Sequence, residues 1–382
     1  MTTMETAVRP ATLAGADHGE TLRVLPDPNR AEVEVTVVDP LAGNHWDTQI
    51  RGHRDATVFH TSSWARVLTR TYGHQPSYLQ LHQGDETVAL LPLMEVSSWL
   101  TGRRGVCLPF SDECPPLIFS ELKVPLIAGK LKEFAAARKW KWCELRGGLG
   151  ATVAHGRKVA EQEPTFYGHE LDLTGGIELL RKGCDDAVHR GVRRAEKHGL
   201  RAEVEISLGA MKEFYRLHCL TRQRHGAPPQ PWRFFLHIFE EIIAAGLGFI
   251  VTVQRGGSYL AGAVFFCRGD RALYKYGASE KEAQSYRPNN LCFWRALEHL
   301  THLGYHTLQF GRTAPANHGL RRFKRGWGAA EYPIIYHRLS SAPAPSHPAG
   351  PSRNHRSAEE LFRHLPLTLN RLAGSVLYPH LD

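Results

Sequence analysis

The sequence is poor in cysteine and has no long apolar run. Its 382 residues include only seven cysteines, an odd number, and no two of them form a CxxC pair. This disfavours a disulfide framework and a zinc knuckle, and we expect buried thiols in a reducing cytoplasm. The most apolar strip, Val88–Val96, is short and contains Pro92 and Glu95, which excludes it as a membrane span. The first residues have no basic region followed by an apolar one, so we expect no signal peptide and a cytoplasmic location.

Several catalytic motifs are also missing. The sequence has no GxxxxGK[ST], no GxGxxG after a strand, no HExxH and no GxSxG. ATPase, nicotinamide and hydrolytic-triad chemistry therefore lose support. The histidines never stand at metal-ligand spacing with cysteines, so we expect no metal site and no permanently bound cofactor.

Positive charge is in excess. Lysine and arginine number 47 against 38 acidic residues, for a formal net charge of +9. Such an excess favours polyanionic partners, and nucleic acid, nucleotide phosphates and an anionic lipid headgroup all remain possible.

The length and the changes in composition predict two domains with tails. The predicted segments are a loose N-terminal arm (1–31), a first domain (32–165), a second domain (166–339), a Pro/Ala/Ser-rich linker (340–356) and a C-terminal helical tail (357–382). The tail has apolar residues at helical spacing. It could dock on the protein or lie on a membrane surface, and we favour docking because its polar face is not strongly basic.

Between these ends, strand and helix patterns alternate, which predicts an α/β (α+β) fold with mixed sheets flanked by helices. Val33–Val38 and Glu86–Val96 are expected to be strands, and Ile177–His198 one long helix. The segments YLQLHQGDETVALLPLMEV and FIVTVQRGGSYLAGAVFFC align with Gly84 against Gly256. This internal similarity indicates duplication of one α/β unit, although a chance match between hairpins is the alternative.

The first candidate ligand site is the segment HRGVRRAEKHG. Arg190, Arg193, Arg194 and Lys197 share one helix face, and they have little local counter-charge. A phosphate-bearing ligand explains this four-cation helix better than a solvated basic stripe does. The apolar positions of the same stretch fall on another face: Leu180, Cys184, Val188, Val192 and Ala195.

The second candidate is FGRTAPANHGLRRFKRGWG. A predicted strand ends at Gly311 and Arg312 and is followed by a helix start, an arrangement that suits an anion. Lys324 stands among Phe323 and Trp327, where an ammonium is partly desolvated and can face a developing negative charge. The alternative is a surface helix whose lysine reaches solvent.

Two further segments carry polar residues. SYRPNNLCFW places Tyr286 and Asn289 at a helix N-terminus, and LPFSDECPPL places Asp112 in a Pro-rich loop. Both patterns are also ordinary capping chemistry. A carboxylate in such a loop could bind an amine substrate.

With these residues in hand, the chain resembles the FemAB-like members of the GNAT acyltransferase superfamily, a group that includes the BioF2-like acetyltransferase domain and peptidyltransferases that act on cell-wall precursors. The resemblance is carried by FHTSSWARVLTRTYGHQP, ALLPL, CLPFSDECPPL, HRGVRRAEKHGL, YKYGAS, YRPNNLCFW and FGRTAPANHGLRRFKRGWG. The ending LPLTLNRLAGSVLYPHL is similar to the tail of members associated with exopolysaccharide gene systems.

The resemblance implies two tandem GNAT-like domains and transfer of an acyl or aminoacyl group to an amine. In the peptidyltransferase relatives a lysine after a phenylalanine contacts substrate near the reaction centre, and Phe323-Lys324 matches that pair. The chain departs from coenzyme A acetyltransferases because it has no convincing [QR]xxGx[GA] loop. The donor is therefore either an acyl-CoA or an aminoacyl-tRNA, and the four-cation helix would suit the latter.

We therefore expect an N-acyltransferase or aminoacyltransferase that forms an amide on an amine of a cell-envelope or exopolysaccharide precursor. Lys324 and Arg312 are the candidate catalytic groups. The four-cation helix and Gly311 would bind phosphate, and Tyr286, Asn289, Asp112, Phe323 and Trp327 would contact substrate. The expected partners are a phosphate-bearing acyl donor and an amine acceptor, with tRNA as a further candidate and no DNA. We expect a monomer without a transmembrane segment, whose only contact with a membrane would be peripheral. The alternative is a non-catalytic module that keeps the GNAT scaffold and binds a polyanionic ligand.

Overall fold

The computed structural model describes residues 33–119, 124–147, 165–339 and 353–381. The predicted N-terminal arm (1–31) lies outside the described residues, as does most of the predicted linker (340–356). The last residues of that predicted linker are helical, because the first helix of the tail begins at Arg353. No helix within the described ranges has the length and apolar character needed to cross a bilayer.

The described residues form three sheets with helices packed on them. In chain order the strands are β1 (Val33–Val38), β2 (Gln75–Pro76), β3 (Tyr78–Gln83), β4 (Glu86–Leu91), β5 (Met94–Ser98), β6 (Gly102–Cys107), β7 (Leu117–Ile118), β8 (Cys143–Arg146), β9 (Phe166–Asp172), β10 (Arg201–Glu205), β11 (Gly248–Arg255), β12 (Ser258–Arg268), β13 (Arg271–Ser279), β14 (Thr307–Gln309), β15 (Ala330–Ile334) and β16 (Tyr336–Leu339).

The helices follow the same order. They are α1 (His45–Gln49), α2 (Ser62–Tyr72), α3 (Val124–Ala137), α4 (Gly176–Gly183), α5 (Asp186–Lys197), α6 (Leu208–Arg224), α7 (Trp232–Ile238), α8 (Pro288–His302), α9 (His318–Arg325), α10 (Arg353–His364) and α11 (Leu367–Leu377). A π-helical turn, Phe239–Ile243, extends α7.

The first half of the chain builds two sheets and the second half builds one. The strand orders are β1-β3-β4-β7, β16-β8-β6-β5-β2 and β10-β11-β12-β13-β14-β9-β15. This is the mixed α/β architecture expected from the sequence. The predicted single strand Glu86–Val96 is instead two strands, β4 and β5, in different sheets, because the chain turns at Leu91–Leu93 around Pro92.

The internal repeat is visible in the strand register. The antiparallel order β1-β3-β4 recurs as β10-β11-β12, with helices inserted after β1 and after β10. In the first hairpin the register shifts between Leu81 and His82, and in the second between Val253 and Gln254. These positions coincide when Gly84 is aligned with Gly256. Two hairpins that share a bulge at the same distance from the turn support duplication over a chance match.

One strand crosses between the two halves. Tyr336–Leu339, predicted to lie in the second domain, pairs antiparallel with β8 and forms an edge of a first-half sheet. Arg338 also forms an ion pair with Glu144 at 2.9 Å and stacks over the Trp142 ring. The two halves are therefore joined by backbone hydrogen bonds as well as by side chains.

A shared apolar core lies between the halves. Trp64 of α2 packs 5.8 Å from Phe266 and 6.0 Å from Phe234, with the distances taken between ring centroids. Phe59 lies 6.3 Å from Phe266 in the same cluster. A core of this kind holds the two halves in one fixed relation, which a site built from both requires.

The predicted long helix Ile177–His198 is broken. α4 ends at Gly183, Cys184 is extended, and α5 begins after Asp185. The break lets the Asp185 backbone N–H donate to Gly326 O at 2.8 Å, which ties the start of α5 to the end of α9. The apolar face of the stretch was predicted correctly, since its five apolar residues are all buried.

The C-terminal tail docks on the protein, as favoured from its sequence. Its inner face buries Asn370, Gly374 and Tyr378 against the loop after α6. Tyr378 Oη donates to Pro228 O at 3.2 Å. A Cβ on Gly374 would lie 1.9 Å from Pro229 O, so only glycine permits this approach of α11.

Candidate active site between the two halves

Two neighbouring strands of the large sheet separate at the site. β13 and β14 pair in parallel over three residues, Arg271–Leu273 against Thr307–Gln309. β13 then continues to Ser279, whereas β14 ends and leads into Gly311 and Arg312. A loop of the first half, which carries Asp112, meets both elements here.

An ion pair joins the halves at this point. Lys275 Nζ lies 2.8 Å from Asp112 Oδ2 and donates to Phe110 O at 2.7 Å. Lys275 occupies a β-bulge, because Val264 pairs with Tyr276 while Phe265 pairs with Tyr274. The bulge turns the lysine out of the regular strand alternation and toward the first half.

Two features of the Asp112 loop hold it in place. Phe110 has a φ of 60°, in the left-handed region, a backbone conformation that costs a residue other than glycine about 1–2 kcal/mol. The buried Arg146 guanidinium donates to Leu108 O at 3.1 Å and to Ser111 O at 3.3 Å. The carboxylate of Asp112 is thereby fixed by backbone geometry and by a buried cation.

Lys324 lies on the other side of the same carboxylate. Its side chain is buried, with the whole residue only 2% exposed, and Nζ donates to Gly311 O at 2.8 Å. Burial lowers the pKa of the Lys324 ammonium to about 8, against the opposing effect of the Asp112 charge. Lys324 is therefore a buried lysine whose ammonium gives up its proton more readily than that of a surface lysine.

Gly311 permits this close packing. Its φ of 65° is in the left-handed region, and a Cβ there would lie 3.3 Å from the Asp112 carboxyl carbon. Gly311 thus brings backbone against the carboxylate of Asp112, and its role in binding phosphate stays a prediction.

Arg312 completes the cluster. Its guanidinium donates to Tyr336 Oη at 2.6 Å, and Tyr336 Oη donates to Asp112 O at 2.6 Å. Arg312 also stacks over the Phe166 ring at 4.5 Å. Tyr336 is on β16, so the strand that crosses between the two halves contributes directly to the site.

Asp112, Lys275, Arg312 and Lys324 form the Asp112 cluster, in which positive charge is in excess. Burial would raise the pKa of the Asp112 carboxyl, but Lys275, Arg312 and Lys324 outweigh it and hold that pKa below its usual value. Burial lowers the pKa of Lys275, and Asp112 opposes that effect. Three cationic side chains thus surround one ionised carboxylate, which leaves positive potential for an anionic ligand or a developing oxyanion.

A second carboxyl group lies next to the cluster. Burial raises the pKa of Glu113, and Tyr332 Oη donates to Glu113 Oε2 at 3.1 Å. Two adjacent residues of one loop therefore carry carboxyl groups whose environments shift their pKa values in opposite directions.

The structure brings together four of the predicted site residues: Asp112, Gly311, Arg312 and Lys324. Phe323 and Trp327 pack beside Phe293, at 5.6 Å and 5.5 Å between ring centroids. Trp327 is fully buried in the core, so it supports α9 rather than contacting a ligand directly.

The other predicted residues lie elsewhere. The Tyr286 ring is tilted against the His198 ring, with 4.8 Å between centroids, and lies under the Arg255 guanidinium at 5.0 Å. Asn289 Nδ2 lies 3.4 Å from Ser279 Oγ. These contacts place both residues near the C-terminal end of the four-cation helix and the end of β13.

The four cations of α5 are exposed: Arg190, Arg193, Arg194 and Lys197. Among the residues that the structure describes, none of them forms an ion pair with a carboxylate. Arg193 lines a groove of about 160 Å³ together with Arg181, His189 and Trp294. Arg181 stacks over the Trp294 ring at 5.2 Å.

Sequence reasoning missed Lys275, Tyr336 and Arg146. A signal for Lys275 was present in YKYGAS, where a lysine interrupts an apolar strand pattern. Tyr336 and Arg146 had no local signal. Their roles depend on the pairing of β16 with β8 and on contacts with the loop that carries Asp112.

Part of the chain matches a known protein family. Residues 184–332 match the acetyltransferase (GNAT) domain family. The second half is thus a GNAT domain, and the repeated topology makes the chain a tandem GNAT-fold protein. Among curated protein sequences, none matches.

Solved structures give the finer relation. FemX aligns with a TM-score of 0.62 at 15% identity, covering 80% of this chain and 97% of FemX. A tandem GNAT protein from the clavulanic acid biosynthesis pathway, solved without AcCoA, aligns with a TM-score of 0.51 at 13% identity. The alignment covers 82% of this chain and all of that one. The C-terminal domain (DUF2156) of a putative lysylphosphatidylglycerol synthetase from Agrobacterium fabrum aligns with a TM-score of 0.50 at 16% identity, covering 76% of this chain and 89% of that domain. The chain therefore contains a GNAT acetyltransferase domain at residues 184–332, and as a whole it shares the fold of FemX and of a tandem GNAT protein.

Proposed function

We propose that the protein is an N-acyltransferase or aminoacyltransferase that forms an amide on an amine of a cell-envelope or exopolysaccharide precursor, in the cytoplasm and as a monomer. The observation that carries the proposal is the Asp112 cluster within a GNAT-fold chain. Lys275, Arg312 and Lys324 surround one carboxylate where the two halves meet. Such an excess of positive charge suits a reaction in which negative charge develops on a carbonyl oxygen.

The reaction is an aminolysis. The neutral acceptor amine attacks the carbonyl carbon of the donor, and a C–N bond forms as the C–S bond of a thioester or the C–O bond of an aminoacyl ester breaks. The amine loses one proton, and the departing thiolate or alkoxide takes one up. The enzyme has to hold the amine, stabilise the tetrahedral oxyanion and transfer that proton.

Each task has a candidate residue. Lys324 and Arg312 stabilise the oxyanion, because both carry donors in a site that is largely withdrawn from water. Asp112 positions the acceptor amine through its fixed carboxylate. Tyr286 and Asn289 remain candidates for holding the donor close to β13.

The four-cation helix binds the phosphates of the donor or the acceptor. Its side chains are exposed, and none of them forms an ion pair with a described carboxylate, although Glu196 lines the same groove as Arg193. Both donor classes carry phosphate, so an acyl-CoA and an aminoacyl-tRNA both remain open. Likenesses at 13–16% identity concern the fold and do not choose between these donors.

The acceptor class rests on the likeness of the sequence motifs. These motifs resemble those of FemAB-like peptidyltransferases and of exopolysaccharide-associated members, which points to an acceptor that belongs to the envelope. The fold shared with FemX and with a putative lysylphosphatidylglycerol synthetase domain is compatible with such an acceptor.

A donor panel tests the proposal. The full chain is incubated with acetyl-CoA, with longer acyl-CoAs and with bulk aminoacylated tRNA, each with amine-bearing envelope precursors, and the amide product is measured by mass spectrometry. We expect turnover with one donor class, which Lys324→Met lowers by about 10²–10³. Lys212→Met, at an exposed lysine on α6, should leave turnover unchanged. Turnover that is independent of Lys324 contradicts the assignment of the site.

The second candidate is a polyanion-binding module on the same scaffold, favoured by the exposed cations of α5. It predicts salt-sensitive binding of coenzyme A or tRNA with no product from any donor. Identification of a ligand that co-purifies with the protein distinguishes the two further, because an enzyme should carry a donor or a product.

A further inference from the structure

The outer face of the C-terminal tail is apolar and has no partner among the described residues. Leu369, Leu372 and Val376 stand at i, i+3 and i+7 of α11, and each is at least half exposed. The opposite face of the same helix is buried through Asn370 and Gly374. α11 thus turns an apolar stripe to solvent, whereas a helix on a protein surface normally turns a polar face to water.

A groove continues this apolar face. It has a volume of about 570 Å³ and lies between α11 and α7, with Leu372 and Val376 on one wall and Trp232 on the other. Its lining includes two guanidinium groups, from Arg233 and Arg371, and no carboxylate. The groove therefore combines apolar walls with positive charge.

The tip of the β5–β6 hairpin adjoins the end of the tail. Trp99 is 83% exposed, and its Nε1 lies 3.1 Å from His380 Nε2. Leu100 beside it is also exposed. Arg104 is buried and donates to His380 O at 2.9 Å, which ties the hairpin to the end of the tail. An exposed tryptophan is typical of proteins that contact the interfacial region of a bilayer.

Free cations lie in the groove and not on the hairpin. Arg103 of the hairpin is paired with Glu95, whereas Arg233 and Arg371 line the groove without a carboxylate among its described residues. A contiguous apolar patch marks an interaction site, and basic residues without acidic neighbours select an anionic partner.

The geometry points to a membrane-binding surface: the outer face of α11, its groove and the Trp99 hairpin bind an anionic lipid bilayer peripherally. Leu369, Leu372 and Val376 insert among the acyl chains, while Arg233 and Arg371 meet lipid phosphates. A second copy of the chain fits this surface less well, because an isologous contact would bring identical guanidinium groups together. This inference goes beyond the proposed function and does not depend on which donor is used.

Vesicle co-sedimentation of the full chain tests it. The vesicles consist of phosphatidylcholine alone or with roughly one-third phosphatidylglycerol. The chain should sediment with the anionic vesicles. Leu372→Ser combined with Val376→Ser should lower its partition coefficient about tenfold or more, because both side chains lose apolar burial in the bilayer. Leu179→Ser with Leu303→Ser, at comparably exposed sites outside the tail, is the matched control and should bind like the wild type.

Arg233→Gln supplies a variant that leaves the apolar face intact. It should weaken binding to anionic vesicles roughly fivefold and leave any weak binding to neutral ones unchanged. Three results overturn the inference: no binding of the wild type to anionic vesicles, equal binding by the serine variant, or a wild-type dimer by light scattering that the serine variant dissociates. Turnover with water-soluble substrates should be the same in all variants, so failure here leaves the proposed function standing.

Discussion

The Asp112 carboxylate belongs to the first half of the chain and the Lys275 ammonium to the second, and their closest atoms lie 2.8 Å apart. Neither group is well exposed, and Lys275 depends on Asp112 for compensation of its charge, whereas Asp112 also faces Arg312 and Lys324. The pair therefore couples the arrangement of the two halves to the electrostatics of the site.

A double-mutant cycle measures this coupling. Asp112→Asn should lower the free energy of unfolding by about 3–5 kcal/mol, because it leaves the buried Lys275 without its counter-charge. Lys275→Met should cost less, because Arg312 and Lys324 still face the Asp112 carboxylate. The double variant should be more stable than the sum of the single effects by about 0.5–3 kcal/mol. Urea unfolding followed by circular dichroism gives the values, and strict additivity would show that the pair does not interact.

Lys324→Met keeps the length and packing of the side chain and removes its charge. Loss of one preorganised oxyanion partner should reduce kcat by about 10²–10³. Steady-state kinetics should show kcat and kcat/KM falling by similar factors, with KM little changed. An effect on KM alone would make Lys324 a binding group.

The pH dependence of turnover should report Lys324. Only its cationic form stabilises an oxyanion, so activity should decrease as the pH rises through the Lys324 pKa of about 8. Lys324→Arg should move this alkaline limb to higher pH, because a guanidinium keeps its charge there. The comparison is a profile of kcat/KM for both proteins, and identical alkaline limbs would exclude Lys324 as the titrating group.

Arg194→Glu tests the four-cation helix. Reversal of this exposed charge should weaken binding of bulk tRNA or coenzyme A and reduce the slope of log affinity against log salt by about 1 or more. The melting temperature should barely change, because the residue makes no described ion pair. Arg51→Glu, an exposed arginine of the first half, is the control. Unchanged affinity and slope would leave the helix as a solvated surface.

Gly374→Ala tests the docking of the tail. The new Cβ would lie 1.9 Å from Pro229 O, so α11 has to shift, and we expect a loss of about 1–3 kcal/mol in stability. Gly129→Ala, in α3 with open space around its Cβ, should be neutral or stabilising. Thermal unfolding of both variants gives the comparison, and equal melting temperatures would mean that the tail contact is weak.

Much of the site was readable from local patterns. Gly311 and Arg312 follow a strand, Lys324 stands in an aromatic-rich helix, and Asp112 lies in a Pro-rich loop. Each is a property of a short segment, and the structure places all four within one cluster. The family resemblance added the expectation of two related halves, which the matching bulges at Leu81 and Val253 support.

What could not be read depends on contacts between distant segments. Lys275 points at Asp112 because a bulge forms against β12, and strand periodicity gives no sign of a bulge. The helix break at Cys184 and Asp185 is fixed by a backbone bond to Gly326, more than a hundred residues away. In both cases tertiary contacts override the local preference.

The pairing of β16 with β8 of the first half has a consequence for biosynthesis. The sheet containing β8 remains one strand short until Tyr336–Leu339 has left the ribosome. Until then β8 has an unpaired edge, and the Asp112 loop has not received its hydrogen bond from Tyr336. The first half therefore cannot reach its final form during its own synthesis, and the nascent chain matures only after nearly all of the second half has been translated.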